Sequence, residues 1–464
     1  LKPLTAILLV SFAVLAATSC RKESFNTSTE ARLDIGRDSL LFDTVFTTAG
    51  SITKYFVIRN DNKQKINISN IQLMGGVASA YKMNVDGTQG TQFTNFELAA
   101  NDSMYVFVRV NVNPTAANQP FVIKDSVRIE WNGNRLHKQL EAWGQNANYI
   151  RSTIFQGNFT WTKTKPYVIL GGMIVDTNSV LTIQPGTRIY LNADAPLIVD
   201  GTLIVNGTKT DSVVFKSNRL DDPYKDYPGA WPGIYFRGSS INNRLTYTYI
   251  QNSYQGVAVE KPSGNANPKL IMTNCYLDNI FDVAVLGINT SITANNCLIS
   301  NCGNNIALIY GGAYNFTHCT AASFSNLFVT HKNPVLVASN FLKQNNQILS
   351  SPLNANFTNC ILWGDEGFVE NEVVTEKQGA EVLNLTFNNV LYRAKADPAN
   401  TTLNNVVKNT NPSFDSIDAG KRFYSFKLKA GSPAINKGIL TFLTTDIEGK
   451  PRVGLPDLGC YERQ

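Results

Sequence analysis

The sequence predicts an all-β chain: a right-handed parallel β-helix of about eight coils, preceded by a smaller β-sandwich. Three observations carry this. Asn, Thr, Val, Ile and Gly recur throughout while charged residues make up only 16%, a composition suited to strands and tight turns. Apolar and polar residues alternate from about 35 to 148 between turn signals. Beyond about 150, one short phrase returns every 22 residues or a little more. A chain of 464 residues also exceeds what one ordinary core supports, so two domains are expected.

The first residues, LKPLTAILLVSFAVLAATSC, place one cation at Lys2, an apolar run from Leu4 to Ala17, and small residues before Cys20. That is an export leader, expected to occupy 1–19. The run is too short to span a bilayer, and no later segment approaches the roughly 20 apolar residues that a spanning helix needs. The small-residue approach to Cys20 resembles the bacterial lipoprotein signal, with Ala17 in place of the usual Leu. The resemblance implies lipidation at Cys20 and a membrane partner through that lipid. Because Arg21 rather than Asp follows Cys20, it also implies the outer membrane, on either the periplasmic or the cell-surface side. Residues 20–34 are polar and aperiodic, as a tether would be.

Strand-like runs then follow: SLLFDTVFTT, SITKYFVIRND, KINISNIQLMG and FELAANDSMYVFVRVNVNP. Turn signals at Asn60-Asp61, Asn101-Asp102, Pro114 and Asn132-Gly133 divide them at sandwich intervals. The clearest hairpin joins SVRIEW to LHKQLEAWG through Asn132-Gly133. The opening FDTVFTTAG, the central DSMYVFVRV strand and the closing WG make residues 35–148 similar to Hydin-type immunoglobulin-like domains. The resemblance implies a spacer or interaction module.

From 150 to about 425 the recurring phrases are RLTYTYIQN, LIMTNCYLDN, ITANNCLISN, YNFTHCTAAS, ANFTNCILWG and LNLTFNNVLY. Aligned on one column, Thr248, Cys275, Cys297, Cys319, Cys360 and Val390 stand 27, 22, 22, 41 and 30 apart. A unit that short cannot bury its own face and must stack on its neighbours. Each column then becomes a ladder with a rise of about 4.8 Å per rung. Small inward thiols are the expectation for the cysteine column. No metal is expected, because thiols in a ladder do not converge on a tetrahedral point. The preceding column, Asn274, Asn296, His318, Asn359 and Asn389, suits tight bends, with His318 standing in for Asn. Parallel crossovers make the coil right-handed.

The opening phrases SVLTIQPGTRIYL, APLIVDGTLIVNGT, DSVVFKS and WPGIYFRG resemble, in order, the first coils of pectate-lyase-like β-helix proteins. Residues 426–464 resemble the closing segment of exported β-helix proteins through Ser432-Pro433-Ala434-Ile435, Asp446, Gly449, Pro451-Arg452 and Asp457-Leu458-Gly459. Cys460 stands where that family usually has Ala, which implies a buried, unpaired thiol.

The net charge of +6 is not gathered into basic runs, so no nucleic-acid partner is expected, and no cofactor is expected either. A polysaccharide is the candidate ligand. The loop SNRLDDPYKDYPGAW sets Asp221, Asp222 and Asp226 among Tyr224, Tyr227 and Trp231. Carboxylates beside aromatic faces suit a sugar; the competing reading is a solvated excursion, with Trp231 capping the coil interior. The acidic stretch containing Asp365, Glu366, Glu370, Glu372 and Glu376 is expected to be a solvated insertion, and His331 is a third place to look for chemistry. Catalytic residues are not identified. Hydrolysis would need two positioned carboxyls, and lysis a base with a cation. The sequence therefore favours a cell-envelope lipoprotein that binds carbohydrate or is structural, without catalysis. The alternatives are an exported polysaccharide lyase or glycoside hydrolase, and an adhesin or surface-assembly subunit.

Overall fold

The computed structural model describes residues 24–47, 50–114, 120–345, 347–364 and 368–464. The leader and Cys20 lie outside the described residues, as do Asp365 and Glu366. The chain divides into two compact units, Leu1–Asn146 and Ala147–Gln464.

The first unit is a β-sandwich of two sheets around one core. One sheet runs in the order Ser39–Phe46, Asn134–Gln145, Phe121–Trp131, Ile66–Leu73, Gln92–Leu98; the other runs Lys54–Asn60, Asp102–Val110, Tyr81–Val85, Thr88–Gly90. Alternation decides the faces: Met104, Val106, Val108 and Val110 are buried while Tyr105 and Phe107 point outward. The Asn132-Gly133 turn has positive φ at both residues (46° and 79°), as a two-residue hairpin requires.

The expected tether is not free between residues 24 and 34. Ala31 and Leu33, with Ile35 beyond them, are buried in the sandwich core. The Trp131 indole donates to the Ala31 carbonyl at 2.8 Å, and the amides of Asn132 and Asn134 donate to carbonyls of Asn26, Ser28 and Thr29. The alternation Ala31-Arg32-Leu33-Asp34-Ile35 is a strand signal that the polar composition around it conceals.

The second unit is a parallel β-helix built on one 26-stranded sheet system. Each turn contributes a short strand to three faces, here sheets A, B and C. Leu197–Val199, Thr202–Asn206 and Val213–Ser217 make one such turn, and Ile234–Phe236, Asn243–Thr246 and Thr248–Gln251 the next. Nine complete turns and a partial tenth are present among the described residues, because the first turns, from Asn148 onward, carry none of the recurring phrases. The last rung pairs Leu391 and Tyr392 with Val407 and Lys408. Residues 409–425, assigned by sequence to the coil, instead begin the covering segment, with the hairpin Phe414–Asp418 and Phe423–Leu428.

The cysteine column is a ladder. Amides one rung apart bond the carbonyls of Cys275, Cys297, Cys319 and Cys360 in turn at 2.9 Å. All four thiols are buried and unpaired, and burial holds those of Cys275, Cys297 and Cys319 well above the ordinary thiol range. The column before it sits at the bend between sheets B and C, where Asn274, Asn296, His318, Asn359 and Asn389 all have φ between 50° and 55°. Asn tolerates this left-handed conformation better than other non-Gly residues.

The same amides hold the closing segment. Asn296 donates to the Thr445 carbonyl at 2.8 Å, Asn359 to Ile439 at 2.7 Å and Asn389 to Lys437 at 2.6 Å. Buried Arg452 reaches Asn296 Oδ1 and Glu462, each at 3.0 Å, and Asp446 accepts the amides of Glu448, Lys450 and Glu462. Phe414, Phe426, Ala434, Ile447, Leu458 and Cys460 then cover Leu298, Ala322, Ile361, Trp363 and Leu391 on sheet C. The two recurring patterns, the Asn column and the closing motif, are the two sides of one interface.

His318 is fully buried in that interface, 2.9 Å from the Asn359 amide. Burial, then the nearby Arg452 charge, lowers its pKa from 6.5 to about 3. Between these values the unfolded chain binds a proton that the native state does not, so stability falls as pH drops, by up to about 1.4 kcal/mol per unit. Acid titration of the melting temperature is expected to show this slope from about pH 6.5 downward, and His318→Asn is expected to flatten it.

Candidate functional site

Sheet A presents a concave outer face. Its outward column runs Ile198, Tyr235, Ala258 and Leu286 on successive rungs, between inward Leu197, Val199, Ile234, Phe236, Val257 and Val259. These side chains floor a cavity of about 610 Å³. Pro196, Pro232 and Gln255 form one wall, and Arg237, Glu260 and Ile288 the other.

Each wall is held in place. Arg237 grips Asp200 with two parallel hydrogen bonds, the Nε arm at 2.7 Å, and this pairing raises the guanidinium pKa above its ordinary value. Gln255 donates to Asp282 at 3.3 Å, and the Tyr235 hydroxyl donates to the Pro232 carbonyl at 3.0 Å. Burial, then Tyr254 and Asp282, pushes the Tyr235 phenol upward, so it is a neutral hydrogen-bonding group at neutral pH. At the corner between sheets C and A, Tyr254 and Phe281 stack at 5.5 Å and remain 46% and 52% exposed. The cavity thus has an apolar floor between walls that carry Gln255, Arg237 and Glu260, and the exposed aromatic pair stands at the neighbouring corner.

The loop singled out by sequence occupies the same corner, one rung earlier. The amides of Gly229 and Ala230 bond the carbonyls of Ser253 and Asn252. Its acids do not converge. Asp221 is buried and bound fork to fork by Arg219 at 2.8 Å, Asp222 pairs with Lys225 at 2.7 Å, and Asp226 pairs with Arg422 at 3.1 Å. Tyr224 lies under the Arg219 guanidinium at 4.0 Å and meets Tyr227 at 5.2 Å, and Tyr227 meets Phe328 at 5.0 Å. Trp231 is wholly buried inside the coil, its indole donating to the Gln251 carbonyl at 2.9 Å. It cannot touch a ligand on the outer face. Tyr224 and Tyr227 stay exposed, at 42% and 36%, and with Phe281 and Tyr254 they set four exposed aromatics along the corner.

Sequence reasoning missed Tyr235, Tyr254 and Phe281. A signal existed: Asn252-Ser253-Tyr254 and Asn279-Ile280-Phe281 repeat an aromatic two places after a second column of left-handed Asn residues. It also missed Asp278, beside Tyr249, Tyr276 and Arg422 in a smaller cavity of about 350 Å³ on sheet C. Burial raises the Asp278 pKa, while bonds from Ser300 at 2.7 Å and Asn301 at 3.2 Å oppose that rise.

The acidic stretch is not wholly solvated. Glu372 is completely buried, 2.9 Å from His331 Nε2 and 3.3 Å from Arg393, and it also accepts the Val335 amide. Gly364 is required beside them, since a Cβ there would lie 2.2 Å from both Glu372 and His331. This cluster belongs to the interior, whereas Glu370 meets Lys395 at the surface.

A family model for the pectate-lyase-like β-helix domain matches residues 152–267, which contain much of the groove. No curated protein matches the chain. Among solved structures, a family 123 glycoside hydrolase from Clostridium perfringens is similar at 9% identity and a TM-score of 0.19, over 26% of each chain; a likeness so slight bears on neither fold nor activity.

Truncating Trp231 leaves a cavity where an indole filled the coil and an unmet acceptor at Gln251. Trp231→Ala is expected to lower stability by about 3–5 kcal/mol in urea unfolding.

Proposed function

We propose that this protein is an exported, lipid-anchored envelope protein whose β-helix binds a polysaccharide in the sheet A groove without cleaving it. The observation that carries the reading is the groove itself: the apolar floor of Ile198, Tyr235 and Leu286 beside the exposed Tyr254 and Phe281 pair. A sugar ring has an apolar face and a polar edge, so it can lie on the aromatics while its hydroxyls reach Arg237, Glu260, Gln255 and Asp282. Tyr224 and Tyr227 would extend the platform along the corner.

The carboxylates support binding over catalysis. Asp200 is clamped by Arg237, Asp282 receives Gln255, and the three loop acids each have a cationic partner. The match to a pectate-lyase-like family model supports a polymeric glycan as the ligand class and keeps a lyase or hydrolase as the reading to test against.

A panel of plant and bacterial polysaccharides, scored for binding and for unsaturated or reducing-end products, decides between the two. Tyr254→Ala and Phe281→Ala are expected to weaken binding by about 1–3 kcal/mol each with melting temperature nearly unchanged. Product formation would overturn the non-catalytic reading, and a double variant that keeps full affinity for every polysaccharide the native protein binds would overturn the groove.

The anchor is Cys20, at the outer membrane, on the periplasmic or cell-surface side. Ser24, four positions after Cys20 in the sequence, accepts a hydrogen bond from the Gln64 side chain of the sandwich at 2.7 Å. Cys20→Ala is expected to shift the protein from the membrane to the soluble fraction with an unchanged melting temperature. A variant that remains membrane-bound would remove the lipoprotein reading.

A further inference from the structure

The four-stranded sheet of the sandwich turns an unusual face outward. Tyr55, Tyr105 and Phe107 are 55%, 47% and 38% exposed and lie within ring contact of one another, at 5.2 to 5.9 Å. Tyr55 and Asn84 flank Phe107 from the neighbouring strands. The remaining outward positions include Arg59, Lys82 and Arg109. Asp34 forms a backbone bridge with Arg59 at the sheet edge, exposed Asp102 begins the central strand and Asp86 lies in the turn beyond, so among the described residues the cations free of a neighbouring acid are Lys82 and Arg109 at the cleft.

A cleft of about 360 Å³ opens on this face, lined by Thr53, Lys82, Asn84, Gln89, Phe107 and Arg109 among others. Its polar lining is made of the Asn84 and Gln89 amides beside the Lys82 and Arg109 cations.

We propose that this face is a second binding site, separate from the groove, for an acidic polysaccharide. The aromatic rings offer stacking for sugar faces. Lys82 and Arg109 offer charge for a carboxylate, with Arg109 able to engage it through two bonds. The Gln89 amide in the same lining offers bonds to hydroxyls. An acyl chain would leave the cleft's amides unmet, and a neutral glycan would leave the cations without a function. The sandwich is thus a recognition module and not only a spacer.

The test uses the full chain in affinity electrophoresis and calorimetry against polygalacturonate, alginate and hyaluronan, with dextran as the neutral control. At least one acidic polymer is expected to bind, more weakly as salt rises, and dextran is not. Tyr105→Ala and Arg109→Gln are each expected to weaken that binding about tenfold or more at an unchanged melting temperature. The double variant Tyr254→Ala, Phe281→Ala, which tests the groove, is expected to leave it intact. No retention on any acidic polymer, or retention undiminished by the Tyr105 and Arg109 variants, would overturn the proposal. So would loss in those variants of binding to anionic phospholipid vesicles but not to the polymers.

Discussion

The second unit depends on one backbone constraint: the chain must turn a sharp left-handed corner between sheets B and C at the same place on rung after rung. Asn meets that constraint with a side chain that is also a hydrogen-bonding group. At the bends 274, 296, 359 and 389 the column repeats with the coil, so amides stand above one another along the corner. The thiols that follow point inward, where a larger side chain would crowd its neighbour a strand spacing away. Bend and core are therefore set by consecutive residues.

The corner also determines where the chain ends up. Outward amides at Asn296, Asn359 and Asn389 meet carbonyls of the closing segment, and Arg452 with Glu462 fills the space beside them. Gly459 adopts φ 88° against Thr320 and Ile361, where a Cβ would collide. Sheet C is thereby covered in its later turns, while the outer face of sheet A is left open. The open face and the covered face differ in origin: one is what the closing segment does not reach.

Charge is spent locally. Arg219, Lys225 and Arg422 each meet a carboxylate of the loop at the corner between sheets C and A, as Arg237 meets Asp200 beyond the end of sheet A strands. The exposed pairs among them contribute little to stability. The effect of the three loop pairs is to fix the loop so that Tyr224 and Tyr227 remain on the surface. Buried Glu372 is different, because an unpaired carboxylate in that interior would be severely unfavourable, so His331, Arg393 and the Val335 amide form a unit with it.

Periodicity by itself determined the coil, its ladders, the bends and the sandwich hairpin, because each is a local rule repeated: small residues inward, Asn where φ is positive, alternation where one face is buried. The closing motif was recognisable as a segment, but only the tertiary structure showed that it begins soon after Lys408 and grips the Asn column. The tertiary structure also placed Trp231 in the interior and separated the three loop acids. It drew Ala31 and Leu33 into a core that their polar surroundings hid, and it buried Glu372 beside His331, 41 residues away in sequence. The groove residues Tyr235, Tyr254 and Phe281 come from different rungs. Stacking makes them neighbours across a few ångströms, while in the sequence they stand roughly one coil apart. Outward positions are free of the packing rule that makes the inward columns legible, so their meaning lies in what the stack brings beside them.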